Sequence, residues 1–202
     1  MQISIKDGDK KTLRSYFKAC REEYVEKSAD RDFEALFLKT FQAFIHEQNF
    51  VLENKVIAAY WPFGCEASPL KIIEWLKSAN DFVTVVLPKM MEGTMHFVLY
   101  DTYRSLCKNN FNFCEPLSSR GILPDILIIP LLAFDSEGHR LGYGQGHYDK
   151  FIARMRAMKE PYLMGLAYAC QQASTLPCEA HDQKLDAVLM PDTYILFKAF
   201  EK

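Results

Sequence analysis

Residues 125–152 read DILIIPLLAFDSEGHRLGYGQGHYDKFI, and the order of residue types along this stretch decides the fold. It begins with an apolar run, residues 125–130, that is typical of a strand buried on both faces. Four of the nine glycines of the chain then fall within nine residues: Gly138, Gly142, Gly144 and Gly146. Apolar residues at helical spacing follow the last glycine: Tyr148, Phe151, Ile152 and Met155. The stretch therefore predicts a buried strand, a glycine-rich loop and an amphipathic helix.

The glycine-rich loop has the composition of a phosphate-binding site. A loop between a strand and a helix presents backbone N–H groups and the positive end of the helix dipole, and glycines let a ligand approach closely. Arg140 adds a planar guanidinium suited to phosphate oxygens. The loop matches neither the dinucleotide fingerprint, whose third glycine would fall on His147, nor the P-loop, because no Gly-Lys-Ser/Thr occurs. The residues indicate either another kind of phosphate-binding loop or an ordinary tight turn.

Aspartates close to this loop suggest a metal ion. Asp149 lies one turn into the predicted helix, where its charge would repel a phosphate unless a cation intervened. A hard divalent ion such as Mg²⁺, held by one or two carboxylates and by phosphate oxygens, removes this conflict. Asp182 and Asp186 precede a predicted strand, and either could join Asp149. The other interpretation is that Asp149 is only a favourable acid near a helix N-terminus.

Outside this stretch, short apolar strands alternate with amphipathic helices. Helices are predicted from about Lys10, over residues 32–48 and after Ser68-Pro69. The remaining strands are predicted over residues 56–61, 82–87, 95–100, 162–167, 187–190 and 194–197, with Pro88 closing the second of them. This alternation predicts a single α/β domain over residues 1–202, a three-layer sandwich around a mainly parallel sheet. In such folds, ligands bind beyond the carboxyl ends of the strands.

Charge and hydropathy exclude several classes of protein. The chain has 202 residues, and its 24 Lys and Arg against 26 Asp and Glu give a net charge of −2, so it is less basic than proteins that coat nucleic acid. The longest apolar run, residues 126–134, is far shorter than the ~20 residues that cross a bilayer, and residues 1–7 carry no export signal. We therefore expect a monomeric cytoplasmic protein with free thiols, binding small molecules and neither nucleic acid nor membrane.

Two further groups of polar residues carry weaker signals. Lys10, Arg14, Lys18 and Arg21 recur along one face of the first predicted helix, where a solvated basic face is the simplest interpretation. Glu66 lies in the turn after a predicted strand, close to the aromatic side chains of Tyr60 and Trp61. A surface turn acid is the simplest interpretation of that position.

Together these motifs resemble the signature of the 5-formyltetrahydrofolate cyclo-ligase family, also called 5,10-methenyltetrahydrofolate synthetases. Residues 130–149 carry the central part of the signature, and residues 10–14, Lys-Lys-Thr-Leu-Arg, are similar to the basic motif near the family's N-terminus. Further motifs follow in the family's order: Glu66-Ala67-Ser68-Pro69, Leu87-Pro88-Lys89, Glu115-Pro116 and Asp182-x3-Asp186. The resemblance covers nearly the whole chain, and it implies a fold similar to that of sugar-phosphate isomerases and coenzyme A transferases.

The resemblance also implies an activity, the ATP- and Mg²⁺-dependent conversion of 5-formyltetrahydrofolate to 5,10-methenyltetrahydrofolate. It implies that ATP contacts the basic motif and the loop through Lys10, Lys11, Arg14, Arg140, Leu141, Gly142, Tyr143, Gly144, Gln145, Gly146, His147 and Tyr148. Asp149 and Asp182 would hold Mg²⁺, and Arg140 and Lys10 would be the catalytic residues. The folate would meet Glu66, Trp61, Tyr143, Gly144, Gln145, Gly146 and His147.

Two loop residues depart from the family's pattern and leave alternatives open. Gln145 stands where the family often has Lys or Arg, and His147 stands where Tyr or Phe is usual. A folate- or nucleotide-binding module of the same fold, with little or no turnover, is one alternative. A sugar-phosphate isomerase or an acyl-CoA transferase is another, which the loop signature and the basic motif disfavour.

Overall fold

The computed structural model describes residues 9–79, 83–102, 106–108 and 114–198. Its helices are α1 (Lys10–Lys27), α2 (Phe33–Glu47), α3 (Leu70–Ala79) and α4 (His147–Arg156). Its strands are β1 (Val56–Ala58), β2 (Thr84–Met91), β3 (Thr94–Leu99), β4 (Leu106–Lys108), β5 (Cys114–Pro116), β6 (Ile126–Pro130), β7 (Ala133–Phe134), β8 (Arg140–Leu141), β9 (Tyr162–Leu166), β10 (Ala187–Leu189) and β11 (Tyr194–Leu196). In these ranges, no helix combines the length and the apolar character that a membrane span requires.

Seven strands form the central sheet in the order β11-β10-β9-β6-β1-β2-β3. The five inner strands, from β10 to β2, run parallel, and the edge strands β11 and β3 pair antiparallel with their neighbours. Strand β6, which precedes the glycine-rich loop, lies between β1 and β9 and is buried from Ile126 to Ile129. The mainly parallel α/β sheet predicted from the sequence is confirmed.

Alternate residues of the parallel strands contribute to two separate cores, because successive side chains of a strand point to opposite faces. Ile126 and Ile128 belong to a core that includes Phe37, Phe41 and Phe44 of α2 and residues of α3. Leu127 and Ile129 belong to a second core with Phe151, Ile152 and Met155 of α4. Helices therefore cover both faces of the sheet, which gives three layers.

Helix α1 packs beyond the carboxyl end of β6. Its N-terminus is capped by the side chain of Asp9, which accepts a hydrogen bond of 2.7 Å from the N–H of Thr12. Leu13 and Phe17 are buried in a third, smaller cluster with Leu132, Ala133, Leu141, Ala173 and Leu176. This packing brings the basic end of α1 to the glycine-rich loop.

Strand β2 differs from its prediction, since it continues through Pro88 to Met91. Pro88 pairs with Phe97 of β3, whereas the pairing of β1 with β2 reaches only Val86. Pro88 has no N–H to donate, but β1 no longer pairs with β2 at this position, so no hydrogen bond between these strands is lost. Strand β2 can therefore continue past Pro88. Phe82, the predicted first residue of the strand, lies outside the described residues.

Candidate active site

The glycine-rich loop follows β6 as a short hairpin, β7 with β8, and then enters α4. Buried Asp135 fixes the turn of this hairpin. Its Oδ1 accepts 3.0 Å hydrogen bonds from the N–H groups of Glu137 and His139, and its Oδ2 lies 3.0 Å from Nδ1 of His139. Oδ2 also accepts the N–H of Leu176 at 3.0 Å. One carboxylate therefore ties the hairpin to itself and to a distant segment.

Two loop glycines occupy positions where a side chain would be strained. Gly144 has a φ of +97°, and a Cβ there would lie 3.0 Å from Cζ of Arg14. Gly138 has a φ of +80°, and a Cβ there would lie 2.8 Å from the carbonyl oxygen of Leu185. Because both positions have a left-handed backbone and little space, other residues would be strained at each. At Gly144 the neighbouring group is the guanidinium of Arg14, so a cation lies directly against the loop.

Basic residues of α1 converge on this loop. Nε of Arg14 donates a 2.9 Å hydrogen bond to the carbonyl of Gly142. Nζ of Lys10 lies 2.7 Å from Oδ2 of Asp182 and 2.8 Å from Oε1 of Glu179. These hydrogen bonds raise the pKa of Lys10, although partial burial works in the opposite direction. Lys11 is exposed on the solvent side of the helix.

The basic stripe of α1 is therefore not a solvated face, and that interpretation is wrong for most of its residues. Lys18 alone behaves as expected, with its side chain 60% exposed and 4.0 Å from Glu22. Arg21 is only 3% exposed, and its Nη1 donates a 2.9 Å hydrogen bond to the hydroxyl of Tyr143. The stripe faces the loop because α1 packs on it, a tertiary contact that helical spacing alone does not reveal.

Arg140 is buried between the start of α4 and the segment that precedes β10. Its Nη2 donates a 2.6 Å hydrogen bond to Oδ1 of Asp149, and its Nη1 donates to the carbonyl of Gln183. Burial lowers the pKa of Arg140, and the charge of Asp149 opposes this effect. The guanidinium therefore joins the loop, α4 and the acidic segment in one network.

Gln183 connects the two aspartates predicted to hold a metal, since it follows Asp182 in the chain and bonds to Asp149. Oδ1 of Asp149 accepts the N–H of Gln183 at 3.0 Å, in addition to Arg140. Oδ2 of Asp182 accepts Lys10 and, at 2.8 Å, the N–H of Glu179. Although partial burial opposes ionisation, these bonds lower the pKa of Asp182, so it is ionised at neutral pH.

These carboxylates suit a metal ion that is shared with a ligand. The described residues contain no group of three or more His, Cys, Asp and Glu side chains arranged to bind a metal. Mg²⁺ is often bound by one or two carboxylates together with phosphate oxygens, and Asp149 and Asp182 are hard oxygen donors of this kind. Because both contacts of Asp149 use Oδ1, its Oδ2 is the oxygen that could coordinate such an ion.

The residues predicted to contact the folate come from two places, Glu66 and Trp61 from the segment after β1 and Tyr143 from the loop. The N–H of Phe63 donates a 2.9 Å hydrogen bond to Oε2 of Glu66, and the hydroxyl of Tyr143 accepts one from Nη1 of Arg21. Partial burial raises the pKa of Glu66, although the N–H of Phe63 and the charge of Arg21 work in the opposite direction. The ring of Trp61 is partly buried, with its centroid 6.1 Å from that of Tyr100. A partly buried acid and a partly buried aromatic ring thus lie in the segment after β1.

The remaining predicted loop residues divide by exposure. Gln145 is exposed, and Gly146 ends the loop with a φ of +65° before α4 begins at His147. Tyr148 contacts the ring of Phe97 at 6.2 Å between centroids and lies against the second core. The side chain of Leu141 is buried under α1, so that only its backbone could contact a nucleotide.

Sequence reasoning missed two contributions to this site. Arg21 carried a signal, since it continues the stripe of Lys10 and Arg14, but its burial depends on the packing of α1 against the loop. Gln183 contributes its backbone N–H and carbonyl, and a backbone contribution leaves no mark on residue type. A surface cavity of about 300 Å³ lies between α2 and the β10–β11 turn. None of the residues of the candidate site lines it.

Comparisons with known proteins identify the family. The profile of the 5-formyltetrahydrofolate cyclo-ligase family matches residues 6–191. The 5-formyltetrahydrofolate cyclo-ligase of Haemophilus influenzae is 37% identical over 148 residues, covering 68% of this chain and 76% of the relative. The enzyme of the same name from Escherichia coli K12 is 36% identical over 148 residues, covering 70% of this chain and 80% of the relative.

Solved structures share the fold. The 5,10-methenyltetrahydrofolate synthetase of Aquifex aeolicus has a TM-score of 0.75 at 23% identity, covering 96% of this chain and 95% of that one. The 5,10-methenyltetrahydrofolate synthetase of Mycoplasma pneumoniae has a TM-score of 0.65 at 24% identity, covering 92% of this chain and 99% of that one. With the profile matching most of the sequence, and with these relatives, the chain belongs to the 5-formyltetrahydrofolate cyclo-ligase family.

Proposed function

We propose that this protein converts 5-formyltetrahydrofolate to 5,10-methenyltetrahydrofolate at the expense of ATP, releasing ADP and phosphate. The observation that carries this proposal is the convergence of α1 on the glycine-rich loop, through Arg14 at Gly142 and Lys10 at Asp182. Cations, loop amides and carboxylates there supply the donors and the metal ligands that a triphosphate needs. Glu66, Trp61 and Tyr143 supply polar and aromatic contacts for a pterin.

The reaction needs activation of a poor leaving group. The oxygen of the formyl group on N5 cannot depart by itself, and N10 is a weak nucleophile. Transfer of the terminal phosphoryl group of ATP to that oxygen gives an iminium phosphate and ADP. N10 then attacks the formyl carbon and loses its proton, and the C–O bond breaks as phosphate departs with the oxygen. The protein has mainly to align two substrates and to stabilise developing negative charge.

Lys10 and Arg140 are assigned to stabilising that charge. Each now bonds to a carboxylate, Lys10 to Asp182 and Arg140 to Asp149, so phosphate oxygens would compete with the carboxylates for these donors. Arg14 and the loop amides would orient the nucleotide, and Lys11 would reach it from the exposed side of α1. Asp149 and Asp182 would hold Mg²⁺, which neutralises phosphate charge when it is bound.

A turnover assay tests the proposal against a binding module with little or no turnover. The exposed Gln145 and the His147 at the start of α4 motivate that alternative, whereas the cyclo-ligases among the relatives favour an enzyme. The purified protein should form the methenyl chromophore from 5-formyltetrahydrofolate only when ATP is present. Binding of folate or ATP without turnover would contradict the proposal. ATP-independent conversion of a sugar phosphate or an acyl-CoA would point instead to the other enzymes expected for this kind of fold.

Charge removal at Lys10 or Arg140 should reduce turnover strongly. Loss of one preorganised donor to a developing charge typically lowers kcat by about 100- to 1000-fold, and we expect Lys10→Ala and Arg140→Ala to fall in this range. Arg140→Lys should recover only part of the loss, because a planar guanidinium makes two parallel contacts and an ammonium does not. Lys18→Ala, on the same helix but exposed, is the matched control and should keep wild-type rates. Wild-type turnover in Arg140→Ala would contradict the assignment.

A further inference from the structure

We propose that Arg21 binds the phosphoryl group that passes from ATP to the folate, and that a phosphoryl oxygen replaces the Tyr143 hydroxyl as the hydrogen-bond acceptor of its guanidinium. The inference rests on the proposed function, because that function supplies the phosphoryl group. It adds a buried cation from the middle of α1 to the exposed and loop cations that the sequence singles out. The ligand is a phosphate oxyanion, whether it is carried by ATP, by the folate intermediate or by the inorganic product.

Arg21 is a deeply buried cation whose charge has little compensation. It is 3% exposed, and arginine is rarely buried to this extent unless it is paired. Nη1 donates a 2.9 Å hydrogen bond to the hydroxyl of Tyr143, whereas Nε is buried without a hydrogen-bond partner. Among the described residues, no carboxylate forms an ion pair with Arg21. Because a neutral hydroxyl offsets only part of the cost of burying a charge, the guanidinium is still a strong donor for an anion.

Arg21 lies where the two substrates would meet. It shares a face of α1 with Arg14, which bonds to the loop, and the two residues are separated by a rise of about 10 Å along the helix. One turn further along, the ring of Tyr24 lies 5.6 Å from that of Tyr168, which follows β9. Partial burial raises the pKa of Glu66, which follows β1, and the charge of Arg21 acts in the opposite direction. Arg21 is therefore placed between the part of the loop assigned to the nucleotide and the segment assigned to the folate.

The Tyr143 hydroxyl has the properties of an acceptor that a ligand can replace. Tyr143 is 47% exposed, so rotation of its ring into solvent would disrupt little packing. Partial burial raises the pKa of this hydroxyl, which therefore stays neutral. A hydrogen bond from a guanidinium to a phosphate oxygen is roughly twice as strong as one between neutral groups. A phosphoryl oxygen is therefore the better acceptor for Nη1 of Arg21.

The contact would last through both steps of the reaction. The phosphoryl group leaves ADP and forms a bond to the formyl oxygen, and it later departs with that oxygen as inorganic phosphate when N10 closes the ring. A cation fixed between the two substrates can stabilise the charge on the phosphoryl oxygens in each step. Because Arg21 is held by burial, little reorganisation of the cation itself is needed.

Titration of inorganic phosphate into the protein saturated with ADP and Mg²⁺ tests this inference, because bound ADP leaves open the position of the transferred group. Arg21→Met removes the charge and keeps much of the side-chain length. It should weaken phosphate binding by about tenfold or more, the effect of losing one hydrogen bond to a charged group, and the affinity for ADP should stay nearly unchanged. Arg21→Lys should restore part of the binding, and Lys18→Met, at an exposed position of the same helix, should bind phosphate as the wild type does.

Tyr143→Phe separates this role from one in which Arg21 only holds the loop in place. Without the competing hydroxyl, phosphate should bind about 2- to 10-fold more tightly, the usual effect of one hydrogen bond between uncharged partners or less than a full charged one. If Arg21 served only to fix Tyr143, phosphate affinity would instead fall in both variants. Tighter binding therefore supports the inference, and unchanged or weaker binding overturns it, even where Arg21→Met does not fold.

Wild-type phosphate affinity in folded Arg21→Met would overturn the inference, and so would a wild-type protein that binds ADP but no phosphate. The titration needs no turnover, so its result is independent of the assay for the proposed function. A protein that binds ADP and phosphate but forms no methenyl product would contradict the proposed function, and the difference in phosphate affinity between the wild type and Arg21→Met would still decide the role of Arg21.

Discussion

At the scale of single residues, Gly144 combines two requirements that only glycine meets. Its φ of +97° disfavours any side chain, and a Cβ would press against the guanidinium of Arg14. Arg14 is held there by its bond to the carbonyl of Gly142. The glycine therefore sets how closely a cation approaches the loop, in addition to leaving space for a ligand.

A valine at Gly144 should abolish ATP binding in a protein that still folds, because it displaces Arg14 and fills the space above the loop. Gly93→Val is a matched control, since Gly93 has a φ of +75° in the β2–β3 turn but no atom within 4 Å of its Cβ position. Calorimetric titration with ATP should separate the two variants. Unchanged nucleotide affinity in folded Gly144→Val would mean that ATP binds elsewhere.

At the scale of elements, apolar packing positions α1 at the site. It is held by Leu13 and Phe17 against the loop hairpin, and it carries Lys10, Arg14 and Arg21 toward the site. Apolar packing beneath one helix therefore positions three cations at once. Loss of that packing should affect stability and nucleotide affinity together.

Leu13→Ala should lower the free energy of unfolding by about 2–5 kcal/mol, the usual cost of deleting a fully buried leucine side chain. It should also weaken ATP binding in the folded protein, because α1 would no longer be held firmly against the loop. Urea denaturation measures the first effect, and calorimetry at low temperature measures the second. Lys18→Ala on the exposed face should change neither quantity appreciably. A destabilised Leu13→Ala with full ATP affinity would argue against α1 as a nucleotide-binding element.

Periodicity predicted the elements themselves better than their ends and their contacts. Each predicted helix and sheet strand has its counterpart, yet β2 runs past Pro88 because β1 has already ended there. The β7–β8 hairpin was not predicted, since strands of two residues are too short to show a periodic pattern of apolar residues. Lys10 and Asp182 stood out from the sequence, whereas burial of Arg21 and the backbone contacts of Gln183 depend on parts of the chain that only folding brings together.

At the scale of the whole molecule, the glycine-rich loop offers no serine or cysteine as a covalent nucleophile. No serine or cysteine occurs between Gly138 and Tyr148, and the loop supplies amides and cations instead. The phosphoryl group should therefore pass directly from ATP to the formyl oxygen, without a phosphoenzyme. Alignment of the two substrates across the loop then accounts for most of the chemistry.

Isotope labelling follows that oxygen atom. 5-Formyltetrahydrofolate carrying ¹⁸O in its formyl group should transfer the label to inorganic phosphate, because the oxygen departs within the phosphate when N10 closes the ring. Mass spectrometry of the released phosphate measures the transfer. Phosphate free of substrate label would mean that water attacks ATP or a phosphoenzyme, and it would remove the basis for the roles of Arg140 and Lys10.

The contact between Lys10 and Asp182 joins residues 172 positions apart, and this distance has a consequence for biosynthesis. The ribosome synthesises α1, β1, β2 and β6 well before the segment that carries Asp182 and Gln183. A nascent chain can pack much of its sheet while Lys10 and Arg140 still lack their acidic and backbone partners. Contacts of such long range form late in folding, because their loops must close first. We therefore expect ATP turnover only after the segment that carries Asp182 and Gln183 has been synthesised and has packed against Lys10 and Arg140.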